Sequence, residues 1–351
     1  MKNFKKYFAL LLALLMVSAL FVGCADNNTP PAGDEITDGS QNPADTDAPE
    51  TPAEKVTIRV GGMKGPTSIG LVKLMEDDAN GTTANDYEFT VEATADGISP
   101  LLVKGELDMA AVPVNLASVL YKNTQGKIKL IAVNTLGVLY IVQKNAGINS
   151  IEDLRGKTIY ATGKGSTPEY NLRYILSANG IDPDKDVTIE FKSEATEIGT
   201  LMQSAESAVA MLPQPYVTIA KNTVPGLEIA LNLTEEWEKL GTGSQLITGV
   251  MVARADFIEK HPEAVAKFLE EYKASTEYVN ANVEEGAALV EKYGLFKAAV
   301  AKTAIPLCNI TFIAGKDLKA PVEKYLNILF EQKPQSVGGA LPADDFYYEG
   351  K

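Results

Sequence analysis

The chain has 351 residues, 45% of them hydrophobic and 22% charged, with 32 basic against 46 acidic side chains and a formal charge of −14. That length exceeds what one core usually holds and points to two lobes, and the composition is that of a globular protein rather than a multi-span membrane protein. The acidic balance argues against binding nucleic acid through its phosphate backbone.

The chain begins MKNFKKYFALLLALLMVSALFVGC, in which Lys2, Lys5 and Lys6 precede an apolar run from Tyr7 to Val22. This is the layout of a secretory signal peptide over residues 1–23. The run is too short, and its far side too polar and acidic, for a comfortable spanning helix. Phe21, Val22, Gly23 and Cys24 resemble a bacterial lipobox, with Phe where Leu is more usual. The implied event is cleavage before Cys24 and acylation of its thiol, which would hold the protein by lipid at the extracytoplasmic face of the cell membrane; a plain signal peptide that happens to end near a cysteine is the alternative. Residues 24–54 then form one unit, the lipidated cysteine and an acidic linker with five prolines and no Lys or Arg. Such a stretch buries too little apolar surface to fold and reads as a disordered leash reaching on the order of tens of Å.

From Lys55 onward strands alternate with helices. VTIRVGG (56–62) is a glycine-ended strand, followed by helical spacing over 68–78. YEFTVEA (87–93), MAAVP (109–113) and IKLIAVN (128–134) are further strands with helical segments between them. After VLYIVQK (138–144) and SIEDLRGK a second set opens: TIYAT, a helix over 168–179, VTIEF, a helix over 197–205, AVAML, a helix over 215–222 and EIALNL. The run QLITGVMVARADF (245–257) mirrors VLYIVQK, and helices follow over 262–282, 284–293 and 318–331. Repeated strand–helix–strand units imply an α/β protein with mostly parallel sheets and helices on both faces. The simplest path puts 55–144 and 245–351 in lobe I and 145–244 in lobe II, with two segments crossing between them.

DMAAVPVNLA (108–117) recurs one hundred residues later as AVAMLPQPYV (208–217): each has a strand closed by a proline and then a polar residue at a helix start, Pro113 with Asn115 and Pro213 with Gln214. Ligands of open α/β sheets sit outside the carboxyl ends of the strands, where helix starts offer free N–H groups, so two such edges facing each other make a cleft. The prolines also serve as ordinary punctuation between strand and helix.

Around this pair, ATGKGSTPEY (161–170) reads as a strand end, a glycine turn and a helix start. Ser166 or Thr167 is its N-cap, Pro168 lies in the first turn, and Glu169 is placed for a capping box with Ser166. Gly163 and Gly165 let the backbone approach a ligand, and the amides there suit an anionic or carbonyl oxygen. A nucleotide P-loop is excluded, since Thr158 stands where its first glycine belongs and Gly165 follows Lys164. GGMKGPTSIG (61–70) is the matching turn of the first lobe. Its Gly65, Pro66, Thr67 and Ser68 are candidate contacts, and Lys64 either complements an anion or points to solvent, the latter favoured. Asn134, Thr135 and Gly137 end another strand near the crossing, and Thr248 and Gly249 sit on the returning segment. Asn115, Gln214 and Tyr216 supply amide and aromatic groups of the kind a pyrimidine needs.

GELDMAAVPVNLASVLY, IAVNTLGVLYIV, SIEDLRGKTIYATGKGSTPEYNLRYIL, AMLPQPYVT and SVGGALPADDFYY, in this order, resemble the substrate-binding lipoproteins of ABC importers, in the branch that contains sulfonate, taurine, nitrate and thiamine-precursor binders. The resemblance covers Lys55 to Tyr348. It implies a type II periplasmic-binding-protein fold, a small organic solute held between hinged lobes, an ABC permease as partner and a monomer. One departure is visible: Ser204, Ala205, Glu206, Ser207 and Ala208 stand where the family tends to have Gly-Lys-Ala-Asp, away from the expected cleft.

Catalysis has little to draw on. The one histidine, His261, precedes Pro262 and reads as a helix start. No second histidine completes a nucleophile pair, and no Cys/His cluster suits zinc, so no enzyme, cofactor or metal is expected. Cys308 reads as a small buried hydrophobe, and Trp237 as packing. Two further readings remain: an enzyme of thiamine-precursor or menaquinone metabolism on the same fold, disfavoured by the secretion signal, and a sensory or adhesive surface lipoprotein.

Overall fold

The computed structural model describes residues 55–350. The signal peptide, Cys24, the linker to residue 54 and Lys351 lie outside the described residues. In chain order the first half runs β1 (Thr57–Met63), α1 (Pro66–Ile69), α2 (Val72–Ala79), β2 (Asp86–Glu92), α3 (Ala95–Lys104), β3 (Met109–Pro113), α4 (Val114–Asn123), β4 (Ile128–Thr135), β5 (Leu139–Lys144) and β6 (Thr158–Ala161). Then come α5 (Thr167–Ala178), β7 (Thr188–Phe191), α6 (Ala195–Ser204), β8 (Ala208–Pro213), α7 (Tyr216–Thr223), β9 (Leu227–Asn232) and α8 (Leu233–Lys239). The chain closes with β10 (Gly249–Arg254), α9 (Ala255–Lys260), α10 (Pro262–Ala281), α11 (Val283–Lys292), α12 (Ala298–Ala304), β11 (Ile310–Ala314) and α13 (Lys319–Gln332).

Two sheets result, ordered β2-β1-β3-β10-β4-β11 and β7-β6-β8-β5-β9. They share one plan. In the first, β1 pairs in parallel with β2 and β3, and the returning strand β10 inserts antiparallel between β3 and β4. In the second, β6 pairs in parallel with β7 and β8, and β5 inserts antiparallel between β8 and β9. VLYIVQK and the run 245–257 are thus equivalents, as their mirrored sequence suggests, and each holds the first strand the chain lays down after crossing from the other sheet.

This pairing corrects the boundary at 144. β5 belongs to the second sheet, so the chain changes sheets between Thr135 and Leu139 rather than after Lys144. The reason is non-local: the partners of β5 are residues 208–232, beyond the reach of any local pattern. A second difference is β11, an edge strand that follows the Cys308 segment and has no counterpart among the expected elements.

Burial follows the repeat closely. Residues 111–120 and 211–220 carry the same sequence of buried and half-buried positions, with partial exposure at every third residue from each proline. Each stretch is a strand leaving a sheet and a helix laid back on it, so one period serves both. Alternate residues of β3 and β8 divide between faces. Ala110, Val112, Val209 and Met211 enter a central apolar layer shared by both sheets, Met109 and Ala111 line the outer face of the first, and Ala208, Ala210 and Leu212 that of the second.

The long terminal helix α13 does not stay with one sheet. Tyr325 and Leu326 join the shared layer together with Leu172 and Trp237 of the second half. The Tyr325 hydroxyl donates to Asn171 Oδ1 at 2.5 Å, and its ring lies 5.5 Å from that of Trp237. We expect Tyr325→Phe to cost about 1–3 kcal/mol, because Asn171 is fully buried and loses the donor to its oxygen. Urea unfolding midpoints of the two proteins measure this, and an unchanged midpoint would show that the bond contributes nothing. Cys308 is buried, with its thiol pushed up by desolvation, in keeping with its reading as a small hydrophobe.

Candidate functional site

The carboxyl ends of the parallel strands in the two sheets face one another. On the first side stand the β1–α1 turn, the β3–α4 junction and the end of β4; on the second stand the β6–α5 turn and the β8–α7 junction. Asn115 joins them directly. Its Oδ1 accepts from Thr167 Oγ1 at 2.8 Å, while its Nδ2 donates to the carbonyls of Ser336, at 3.2 Å, and Gly165, at 3.5 Å. Carbonyls only accept, so the amide has one permitted orientation. Asn115 is therefore a tie across the cleft, with little left to offer a ligand. A second bridge runs from the Tyr216 hydroxyl to the Lys64 carbonyl at 3.5 Å. The Tyr216 ring packs edge-on against Phe296 of the first side, and burial pushes its phenol up.

The elements that form the rims also carry buried polar atoms without a partner among the described residues: Thr67 Oγ1, Thr248 Oγ1 and Gln214 Nε2. Buried polar groups are nearly always satisfied, so such orphans mark where a solute or water belongs. Thr67 is 4% exposed and Gln214 0%. Gln214 Oε1 accepts from Thr218 N at 3.3 Å and from Thr218 Oγ1 at 2.9 Å. The backbone N–H can only donate, so the free end of Gln214 is its amino group.

The remaining expected contacts divide. Asn134 and Thr135 are buried behind the first rim: Asn134 Nδ2 donates to the Thr67 carbonyl at 3.4 Å and Asn134 Oδ1 accepts from Thr135 Oγ1 at 3.0 Å. Gly249 lies against both, for a Cβ there would stand 2.5 Å from Thr67 Cγ2 and 2.6 Å from Asn134 Oδ1. Pro66 is the buried first residue of α1, and Gly65 before it is extended, with room around it. Pro113 is half-buried and precedes α4. Gly137 sits in the crossing rather than at the rim. Its carbonyl accepts from Asn309 Nδ2, and a Cβ would meet Thr234 Oγ1 at 2.0 Å. Lys64 extends its side chain into solvent, as favoured, and only its backbone takes part.

The β6–α5 turn differs from expectation. Gly163 and Gly165 do adopt positive φ, +77° and +73°, and Ser166 is the N-cap residue. Its side chain makes no capping bond, and the capping box with Glu169 does not form. Glu169 instead reaches past Ser166 and accepts the Gly165 N–H at 2.7 Å. The positive φ of Gly165 turns its N–H toward the first turn of α5, where the carboxylate already lies. The Gly165 amide is thus occupied rather than open to an oxyanion.

Reasoning from sequence missed Ser336, Asn309, Phe296 and Glu169 as parts of this region. The first three arrive from the far end of the chain and carry no local signal; Glu169 was visible, but as a cap for the wrong residue. A concavity of about 630 Å³ between Leu102–Gly105, Asn123–Ile128 and Arg254–Glu259 opens at the starts of the parallel strands, away from the rims. Among the described residues no helix is long and apolar enough to cross a membrane, and no cluster of His, Cys, Asp and Glu is suited to a metal.

This architecture, two sheets of the same strand order joined by two crossings with orphaned donors at facing rims, is the type II periplasmic-binding-protein fold. Solved structures agree. An ABC transporter protein from Parabacteroides distasonis matches with a TM-score of 0.70 and 24% identity, over 85% of this chain and all (100%) of that one. The aliphatic sulphonate binding protein SsuA of Escherichia coli matches with a TM-score of 0.66 and 15% identity, over 84% of this chain and 92% of that one. The family model described as NMT1/THI5 like matches residues 128–286, in agreement with the resemblance seen in the sequence motifs. A Brucella abortus protein described as a binding protein is 26% identical over 175 residues, 50% of this chain and 52% of that protein, so the chain spans about half the length of the curated relatives it matches.

Proposed function

We propose that this chain is an extracytoplasmic solute-binding lipoprotein of an ABC importer. It captures a small organic nutrient, a sulfonate-, taurine- or nitrate-like anion or a thiamine-precursor pyrimidine, between two closing lobes and delivers it to the permease. Lobe I would comprise 55 to about 135 and 249–350, and lobe II the β5–α8 segment between them. Acylated Cys24 and the leash would keep a monomer near the membrane. The observation that carries the reading is the set of orphaned donors, Thr67 Oγ1, Thr248 Oγ1 and Gln214 Nε2, beside a rim-to-rim tie through Asn115 and Thr167. A solute that satisfies those donors binds the closed form better than the open form and shifts the population toward it.

A thermal-shift screen of the full-length chain against sulfonates, taurine, nitrate, pyrimidines and thiamine tests this, since a ligand of the native state raises the melting temperature by mass action. No rise with any of them would defeat the reading. Asn115→Ala combined with Gln214→Ala is expected to weaken binding of the best solute tenfold or more, about 1–3 kcal/mol, through one lost tie and one lost donor. Unchanged calorimetric affinity would remove both residues from the site.

A further inference from the structure

The turn before α5 has the parts of an anion cradle, two glycines at positive φ and the start of a twelve-residue helix, yet it carries its own anion. Glu169 is 8% exposed. One of its oxygens takes the Gly165 N–H, and the other accepts from Arg173 Nε at 2.8 Å. Arg173 is shared, donating through Nη1 to Asp184 Oδ1 at 2.7 Å. Two carboxylates and one guanidinium leave the group with one net negative charge. A carboxylate at this end of a helix is the placement its dipole favours, so the helix is already satisfied. An incoming oxyanion would find the Gly165 amide taken and the buried Glu169 carboxylate, a like charge, a few Å away.

The rest of the cleft offers donors without formal charge: the Gln214 amino group on the same side as this turn, and the Thr67 and Thr248 hydroxyls on the other. The lysines of the two turns, Lys64 and Lys164, are exposed, where solvent and salt weaken their pull on a buried anion. We infer that Glu169 sets the charge specificity of the site: it turns away sulfonate- and nitrate-type anions and leaves the cleft to an uncharged compound rich in carbonyl oxygens or ring nitrogens. This rests on the solute-binding reading above and selects within it.

The test titrates the full-length chain by calorimetry at pH 8 with two probes, methanesulfonate and the hydroxymethylpyrimidine portion of thiamine. The native protein is expected to bind the pyrimidine at least tenfold more tightly than methanesulfonate. Glu169→Gln removes the charge while keeping an oxygen for Gly165, and should tighten methanesulfonate binding tenfold or more while changing pyrimidine affinity less than threefold. Glu169→Ala also frees the amide and should tighten the anion further. Should the turn loosen in the alanine variant, the glutamine variant alone still decides, because it can retain the hydrogen bond. Native protein that prefers methanesulfonate, or a Glu169→Gln variant whose anion affinity does not move, overturns the inference while leaving solute binding intact. Failure of the wider solute screen would overturn the solute-binding reading and this inference with it.

Discussion

Trp237→Ala is expected to lower the unfolding free energy by about 3–5 kcal/mol, the range for deleting a large buried aromatic. The indole is fully buried, with ring centroids 4.8 Å from Tyr174 and 5.5 Å from Tyr325. Its Nε1 donates to the Ser244 carbonyl at 2.9 Å. Tyr174 lies on α5 and Tyr325 on α13, so the cavity would open where the terminal helix is pinned to the second half. The orphaned Ser244 carbonyl adds to the loss. This is the sole tryptophan, so unfolding must be followed by circular dichroism rather than indole fluorescence. A lower denaturant midpoint at unchanged slope is the expected form. A loss below about 1 kcal/mol would show that the site collapses around the smaller side chain and that α13 is held by other contacts.

Gly249→Ala is expected to weaken solute binding by a hundredfold or more and to cost about 1–3 kcal/mol of stability, the usual scale of overpacking. Gly249 opens β10, paired with Pro113 on one side and Thr135 on the other. The added methyl would press on Thr67 Cγ2, Asn134 Oδ1 and Thr135 Cβ, at 2.5, 2.6 and 3.2 Å. Thr67 and Asn134 are both buried, so neither can swing into solvent, and relief must come from spreading the rim. Two polar contacts of the site are displaced together, each worth about 1–3 kcal/mol if left unmade. Gly65→Ala is the matched control. Gly65 has φ −179°, and beyond its chain neighbours no described atom lies within 4 Å of the point where a Cβ would stand, so stability should hold. Equal melting temperatures for native protein and Gly249→Ala would mean that the rim yields freely, and the steric account would then fail.

Together these variants separate two functions of the same fold. The shared apolar layer and α13 hold the halves together at the back, while short polar contacts meet at the front. The solute-driven closure proposed above would need this division, since the front would open and close on a balance of a few kcal/mol without unfolding the rest.

Much of this was written locally. The alternation of period two and period near three and a half marks most strands and helices, and the prolines at 113 and 213 mark both rims. Their hundred-residue spacing reappears as matching burial because the same local pattern, strand, proline, helix, meets the same kind of environment twice. Cys308 and Trp237 are legible as packing from residue type alone.

Tertiary structure decided whatever depends on a distant partner. Whether β5 belongs with the residues before or after it rests on pairing with β8 and β9, which no local period encodes. Asn115 looked like a ligand contact and is a tie, because Thr167 and Ser336 reach it from elsewhere in the chain. Glu169 had the spacing of a capping box, but the left-handed turn at Gly165 brought a different amide within its reach. Periods and caps follow from bonds between near neighbours in sequence, whereas the identity of a buried polar group's partner is fixed only when the layers close and every donor must find an acceptor.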